Sequence, residues 1–348
     1  SGQIDRGFDL LNRPVNGLGV VRIISSDKAT ICFQKPFYTE RILDEKSTYQ
    51  QSFALSNRQP VGKSYPVVAY SKEQGAIIRI TEYLTTGDDW FSYNDSFIHS
   101  LVPELSEIMK IHPFKEGVSF TVRRYHGVEA ERYMLSSSAV LLPEGSMPLE
   151  VTCAVRLLPL KKDQVRLADY RIPYRTLSFK DYSQNPYCMV EDSLILRWDM
   201  SQSLTFYVDT LFPKEYFQAV KEGVEAWNTA FHKAGIHDAL QVRYADRKII
   251  PAEQRAFISY DLRIPGIKSD FIYHPRTGEI LSCRLNIGHG FLKGKLDDYL
   301  LSCGASDSRI LADRYSKEVE KELLQNEITE ETGYLLGLRR SLSKSSCG

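Results

Sequence analysis

The sequence predicts an α+β fold in two parts: a β-rich N-terminal domain over residues 1–195, then an α/β domain over 196–348 with a mixed sheet and two long helices. Three observations point there. A chain of 348 residues, at roughly 150 per domain, suggests two domains. Short β-branched runs with turn residues between them fill the first part, and after Trp198 strand-like runs alternate with helical patterns. Hydrophobic content of 43% and charged content of 25% are ordinary for packed domains, so the cores need no disulfide staples.

Taken in order, Val20–Ile24, Val67–Tyr70 and Ala76–Ile80 read as strands, with Ser71–Gly75 as the hairpin loop between the last two. Further strands are expected at Val118–Val122, Ala139–Leu142 and Leu149–Leu158. Leu101, Leu105 and Met109 recur at a spacing of four, which predicts a helix over Phe97–Ile111. So many short strands suggest a sandwich or a curled sheet. In the second part Leu204–Val208 alternates as a strand. Pro213 opens a helix to Gly235, whose apolar face is Phe217, Val220, Val224, Trp227 and Phe231. Strands follow at Leu240–Tyr244, Phe257–Leu262 and Phe271–Tyr273, then a turn at Pro275–Gly278 and a strand at Glu279–Ile287. A last helix is expected over Ser308–Leu336, stopping at Gly337.

Several function classes drop out. Lys and Arg total 44 against 44 Asp and Glu, which excludes a globally basic nucleic-acid coat or an acidic disordered tail as the main theme. No run approaches the ~18 apolar residues of a membrane-spanning helix. The six cysteines include no C-x-x-C pair. The chain opens Ser1-Gly2-Gln3 with no signal peptide, a start expected where a targeting segment has been cut away. Gly62-Lys63-Ser64 has Asn57 where a phosphate-binding loop needs glycine, and Gly17-Leu18-Gly19 lacks a third glycine. No G-x-S-x-G elbow is present, and no His-x-x-x-His pair.

The informative segment is Glu322-Leu323-Leu324 through Glu330-Glu331-Thr332-Gly333-Tyr334-Leu335-Leu336-Gly337-Leu338-Arg339-Arg340. It resembles the active-site helix of metzincin-type zinc peptidases, H-E-x-x-H-x-x-G-x-x-H. It is more closely similar to a family of large secreted bacterial zinc-dependent metalloproteases that carry a β-rich domain ahead of the peptidase domain. Leu204–Val208, Val220–Asn228, Phe231–Gly235 and Pro275–Ser282 resemble the same family, as does Leu167–Arg171 at the end of its upstream domain. The resemblance implies that residues 196–348 are a metzincin-like domain ending after the active-site helix. It also implies a secreted, periplasmic or cell-surface location.

Carried over residue by residue, the metal-ligand positions fall on Glu330, Tyr334 and Arg340. The general-base glutamate falls on Glu331, and the turn glycine on Gly337. Active relatives hold zinc on three neutral imidazoles and lower the pKa of its bound water to about 7. A carboxylate, a phenol and a guanidinium replace them here, so no cofactor is expected. A salt bridge from Arg340 to Glu330 or Glu331 would fill the metal's place with a cation. Without the resemblance the same stretch, six Glu and one Lys from Glu318 to Glu331, reads as a solvated helix face.

Three functions follow. The first is an inactive pseudo-peptidase that still holds an extended peptide along strand 279–287, with no nucleic acid and no membrane span involved. The second is an active metallopeptidase with a rebuilt site that uses Glu331. The third is a surface module that binds glycan or protein through the β-rich half.

Overall fold

β-Branched runs and turn residues become strands and hairpins throughout the computed structural model of the chain. It describes residues 4–11, 20–25, 30–34, 40–42, 47–49, 52, 61–71, 75–85, 100–114, 117–128, 132–135, 138–141, 145–157, 165–245, 255–261 and 266–339. The first stretch gives strands β1 (Ile4–Leu11), β2 (Val20–Ser25), β3 (Thr30–Gln34), β4 (Glu40–Arg41), β5 (Val61–Ser71) and β6 (Gly75–Ile78). The short helix α1 (Thr81–Thr85) follows, then β7 (Ser100–Phe114), β8 (Gly117–Val128), β9 (Arg132–Leu135), β10 (Ser138–Leu141) and β11 (Gly145–Leu157). The class is α+β, with mixed sheets, and among the described residues no barrel is closed.

Two compact units emerge. Residues 1–37 and 58–161 make the first, and residues 38–57 and 162–348 make the second. Residues 162–195, grouped by sequence with the N-terminal domain, cluster with the C-terminal unit. In the first unit eight strands form one sheet in the order β6-β5-β3-β2-β1-β11-β8-β7. Its buried residues include Tyr65, Phe120, Val122 and Ala154. Arg124 is buried there too, with Nε and Nη2 both donating to the Leu84 carbonyl at 2.9 and 2.7 Å. That carbonyl is the partner a buried guanidinium requires.

The helix expected over Phe97–Ile111 is corrected. Residues 100–114 are strand β7, paired antiparallel with β8, and residues 97–99 lie outside the described residues. A spacing of four is also a multiple of two, so it suits one strand face as well as one helix face. Pro103 and Pro113 decide between them. Pro103 would break a helix interior, whereas an edge strand tolerates proline, and β7 is the sheet's edge.

In the second unit β12 (Thr176–Asp181) pairs antiparallel with β13 (Val190–Ile195) and parallel with β4. The main sheet follows, from β14 (Leu204–Val208), β15 (Leu240–Tyr244), β16 (Ala256–Asp261), β17 (Ile267–Tyr273) and β18 (Ile280–Gly288). Its order is β15-β14-β16-β18-β17. The first four strands run parallel and β17 antiparallel at the edge.

The helices are α2 (Phe217–Glu225), α3 (Asn228–Lys233), α4 (His289–Cys303), α5 (Ser308–Ala312) and α6 (Lys317–Leu335). Leu204, Phe206 and Val208 alternate inward, and with Cys283, Leu285 and Ile287 they share one core with Val220 and Val224 of α2 and Leu324 and Ile328 of α6. Each large side chain so buried contributes about 1.5–3 kcal/mol.

The helix expected from Pro213 to Gly235 is broken at Trp227, and α2 and α3 lie on either side. Trp227 lies against α6, where its indole N–H donates to the Thr329 carbonyl at 2.7 Å. A side chain at Gly333 would collide with the Trp227 ring. The expected strand at Glu279–Ile287 is present as β18, but it is not an edge. It pairs with β16 on one side and β17 on the other, and its last four residues are all buried. No backbone remains there for an added peptide, so that placement is corrected, and β17 is the edge on this side of the sheet.

Gly337 ends α6 with φ +97°. A Cβ at that position would run into the Leu196 carbonyl. The backbone then pairs with an upstream segment: Arg175 N–H donates to the Gly337 carbonyl at 2.8 Å, and Arg339 N–H donates to that of Pro173 at 2.8 Å. Gly337→Ala is therefore expected to destabilise the chain by about 1–3 kcal/mol in urea unfolding. An unchanged midpoint would contradict the tight turn.

Candidate functional site at the glutamate helix

Helix α6 starts where Ser316 caps it, the hydroxyl accepting from Val319 N–H. Val319, Leu324, Ile328, Thr332 and Leu335 face inward, while Glu318, Glu322 and Glu330 are exposed and Glu320, Glu327 and Glu331 are half-buried. Its ends are pinned. The Tyr216 hydroxyl donates to Glu320 Oε2 at 2.8 Å near the N-terminus, and the Trp198 indole donates to the Leu335 carbonyl at 2.9 Å near the C-terminus. Burial pushes the Tyr216 phenol up to about 12, so it stays protonated and serves as a hydrogen-bonding anchor.

The register of β17 sets the other wall. Ser269 lies opposite Leu285 and Phe271 opposite Cys283, and both partners belong to the helix-facing core. Ser269 and Phe271 therefore face α6, because residues paired across a sheet share a face. Phe271 meets the Tyr334 ring edge-on, with centroids 6.5 Å apart.

Arg175 completes the arrangement. Its guanidinium carbon lies 3.9 Å from the Phe271 centroid and 3.8 Å from the Tyr334 centroid, a cation against two aromatic faces. Such contacts contribute roughly 0.5–2 kcal/mol each. Burial lowers the pKa of Arg175, and the nearby Tyr334 and Glu331 partly offset that effect. Its Nη1 is buried and has no hydrogen-bond partner.

Glu331, one turn back on α6, has Oε2 buried and likewise without a partner. Burial raises its carboxyl above the ordinary 4.5, a hydrogen bond from Ser269 pulls it down, and Glu327 and Glu330 add repulsion.

Of the residues singled out in the sequence, Glu331 and Tyr334 come together with this cation, and Gly337 sits at the turn behind them. Glu330 is exposed, and Arg340 lies outside the described residues, as does the ion pair expected of it. The cation on Tyr334 is Arg175, about 160 positions upstream. Nothing in its local sequence marks it. The resemblance noted for Leu167–Arg171 stops just short of it.

The donor set does not fit zinc. Tyr334 carries a guanidinium against its ring, Glu330 faces solvent, and no group of three or more His, Cys, Asp or Glu among the described residues is arranged to hold a metal ion. A fixed positive charge on the would-be ligand repels a second cation.

The class defined so far is an α+β protein with an open mixed sheet, whose antiparallel edge strand runs beside a glutamate-bearing helix. The family model described as a domain of unknown function, DUF5117, matches residues 16–203, more than half of the chain, and the chain belongs to that family. No curated protein and no solved structure matches it. The family match ends before β14, so it does not reach the main sheet of the second unit or the glutamate helix. Among the described residues no helix is long and apolar enough to cross a membrane.

The raised carboxyl of Glu331 has a measurable consequence. The stability tied to its protonation is full below 4.5 and is lost as pH rises through the folded-state value. Glu331→Gln, neutral at every pH, is expected to unfold at higher urea than the parent at neutral pH. The two should converge below pH 4.5. Coincident midpoints at neutral pH would contradict the assigned environment.

Proposed function

We propose that the second unit is a peptidase-like scaffold that has given up zinc chemistry and retains a peptide-binding edge at β17. The observation that carries this reading is the Arg175 guanidinium stacked on Tyr334 and Phe271. In the metzincin-type resemblance Tyr334 stands at a metal-ligand position, and a permanent cation now lies on its ring. Glu331 keeps the position of the general base, but a base alone neither polarises a carbonyl nor activates water.

Strand β17 supports the second half of the reading. No described strand pairs with its outer side, and it runs past Glu331 and Tyr334 with Ser269 and Phe271 on their side. An extended peptide added there would gain backbone hydrogen bonds without any metal. A location outside the cytoplasm accompanies this proposal, since the resembling family is secreted.

The test is zinc titration calorimetry on the purified chain, together with a fluorescent-casein cleavage assay in added zinc. The expected result is no stoichiometric zinc and no cleavage. One tightly held zinc per chain, with cleavage abolished by Glu331→Gln, would overturn the proposal in favour of an active peptidase.

A further inference from the structure

Beside the edge strand sit one buried donor and one buried acceptor, neither of them used: Nη1 of Arg175 and Oε2 of Glu331. The two side chains are close enough to influence each other's ionisation, yet Nη1 and Oε2 do not hydrogen-bond to one another. Leaving such groups unpaired is costly, so their arrangement favours a ligand that satisfies both at once.

A simple anion would suit Arg175 and be repelled by Glu331, and a simple cation would meet the reverse. A single residue of an extended peptide offers what is missing, because in a strand its N–H and C=O point to the same side. We propose that Arg175 and Glu331 form a metal-free clamp for one residue of an extended peptide. Arg175 Nη1 donates to that residue's carbonyl oxygen, and Glu331 Oε2 accepts from its N–H. The inference rests on the reading of β17 as a peptide-binding edge and adds the two side chains that fix the peptide's register. Phe271 and Tyr334 both contact the guanidinium, with its carbon 3.9 and 3.8 Å from their ring centroids, so little side-chain freedom is lost on binding.

The experiment measures binding of a labelled pool of random-sequence hexapeptides, acetylated and amidated at their ends, to the full chain and to Arg175→Met and Glu331→Gln. Methionine keeps an unbranched side chain between the two rings, glutamine keeps the carboxylate's shape, and thermal unfolding confirms that each variant is folded. The expected result is binding to the parent and a loss of roughly tenfold or more in each variant, the effect of removing a hydrogen bond to a charged group. Should Arg175→Met fail to fold, Arg175→Lys, which keeps the charge and loses the planar fork, is expected to weaken binding likewise. Binding to the parent with undiminished affinity in the folded variants would overturn the clamp and leave the peptide-binding edge standing. No binding of the pool to the parent would overturn both.

Discussion

The second unit depends on the left-handed turn at Gly337. With φ +97° and the Leu196 carbonyl pressed against the position of its missing side chain, it turns the chain out of α6 onto residues 173–175. Arg175 N–H bonds to Gly337, and Leu196 N–H bonds in turn to the Arg175 carbonyl at 2.8 Å. The backbone of Arg175 is thus fixed between the helix terminus and the start of the core, which leaves its side chain beside Tyr334. A residue unable to adopt the turn would move the guanidinium and uncover the aromatic pair.

The packing of α6 belongs to the same constraint. Gly333 admits the Trp227 ring, and Trp227 sits where the helix expected from Pro213 to Gly235 divides into α2 and α3. With Thr329 and Leu335 carbonyls taking indole hydrogens from Trp227 and Trp198, the helix is held along its length. Its rotation about its own axis is therefore set, so Glu331 and Tyr334 face β17. The site that results holds one guanidinium, one carboxyl raised by burial, and two rings.

Much of the second unit was legible in the sequence because its signals are local. The alternation of Leu204–Val208 and the apolar face running from Phe217 to Phe231 gave a strand and a helical region where they occur. The single helix read over Ser308–Leu336 is two, α5 and α6, and the capping residues Asp307 and Ser316 mark both starts. Helix α4 has a weak sequence signal, because Gly290 and Gly294 lower its helical propensity and only Phe291, Leu292 and Leu296 are buried. Strand β7 carries an ambiguous signal, because a spacing of four does not separate helix from strand and only Pro103 argues against the helix. At the candidate site Glu331, Tyr334 and Gly337 were readable from the helix motif, whereas Arg175 was not. Its role is set by a long-range backbone pairing that no sequence period encodes.

The central claim is that a guanidinium, fixed by the turn at Gly337, lies between Phe271 and Tyr334. Side-chain NMR of arginine-labelled protein tests it most directly, because protons held over aromatic faces shift upfield. The account predicts that the Arg175 side-chain resonances lie well upfield of the other arginines and that Tyr334→Ala and Phe271→Ala each move them back toward ordinary values. Arg175 resonances at ordinary positions in the parent, unaffected by either substitution, would contradict it.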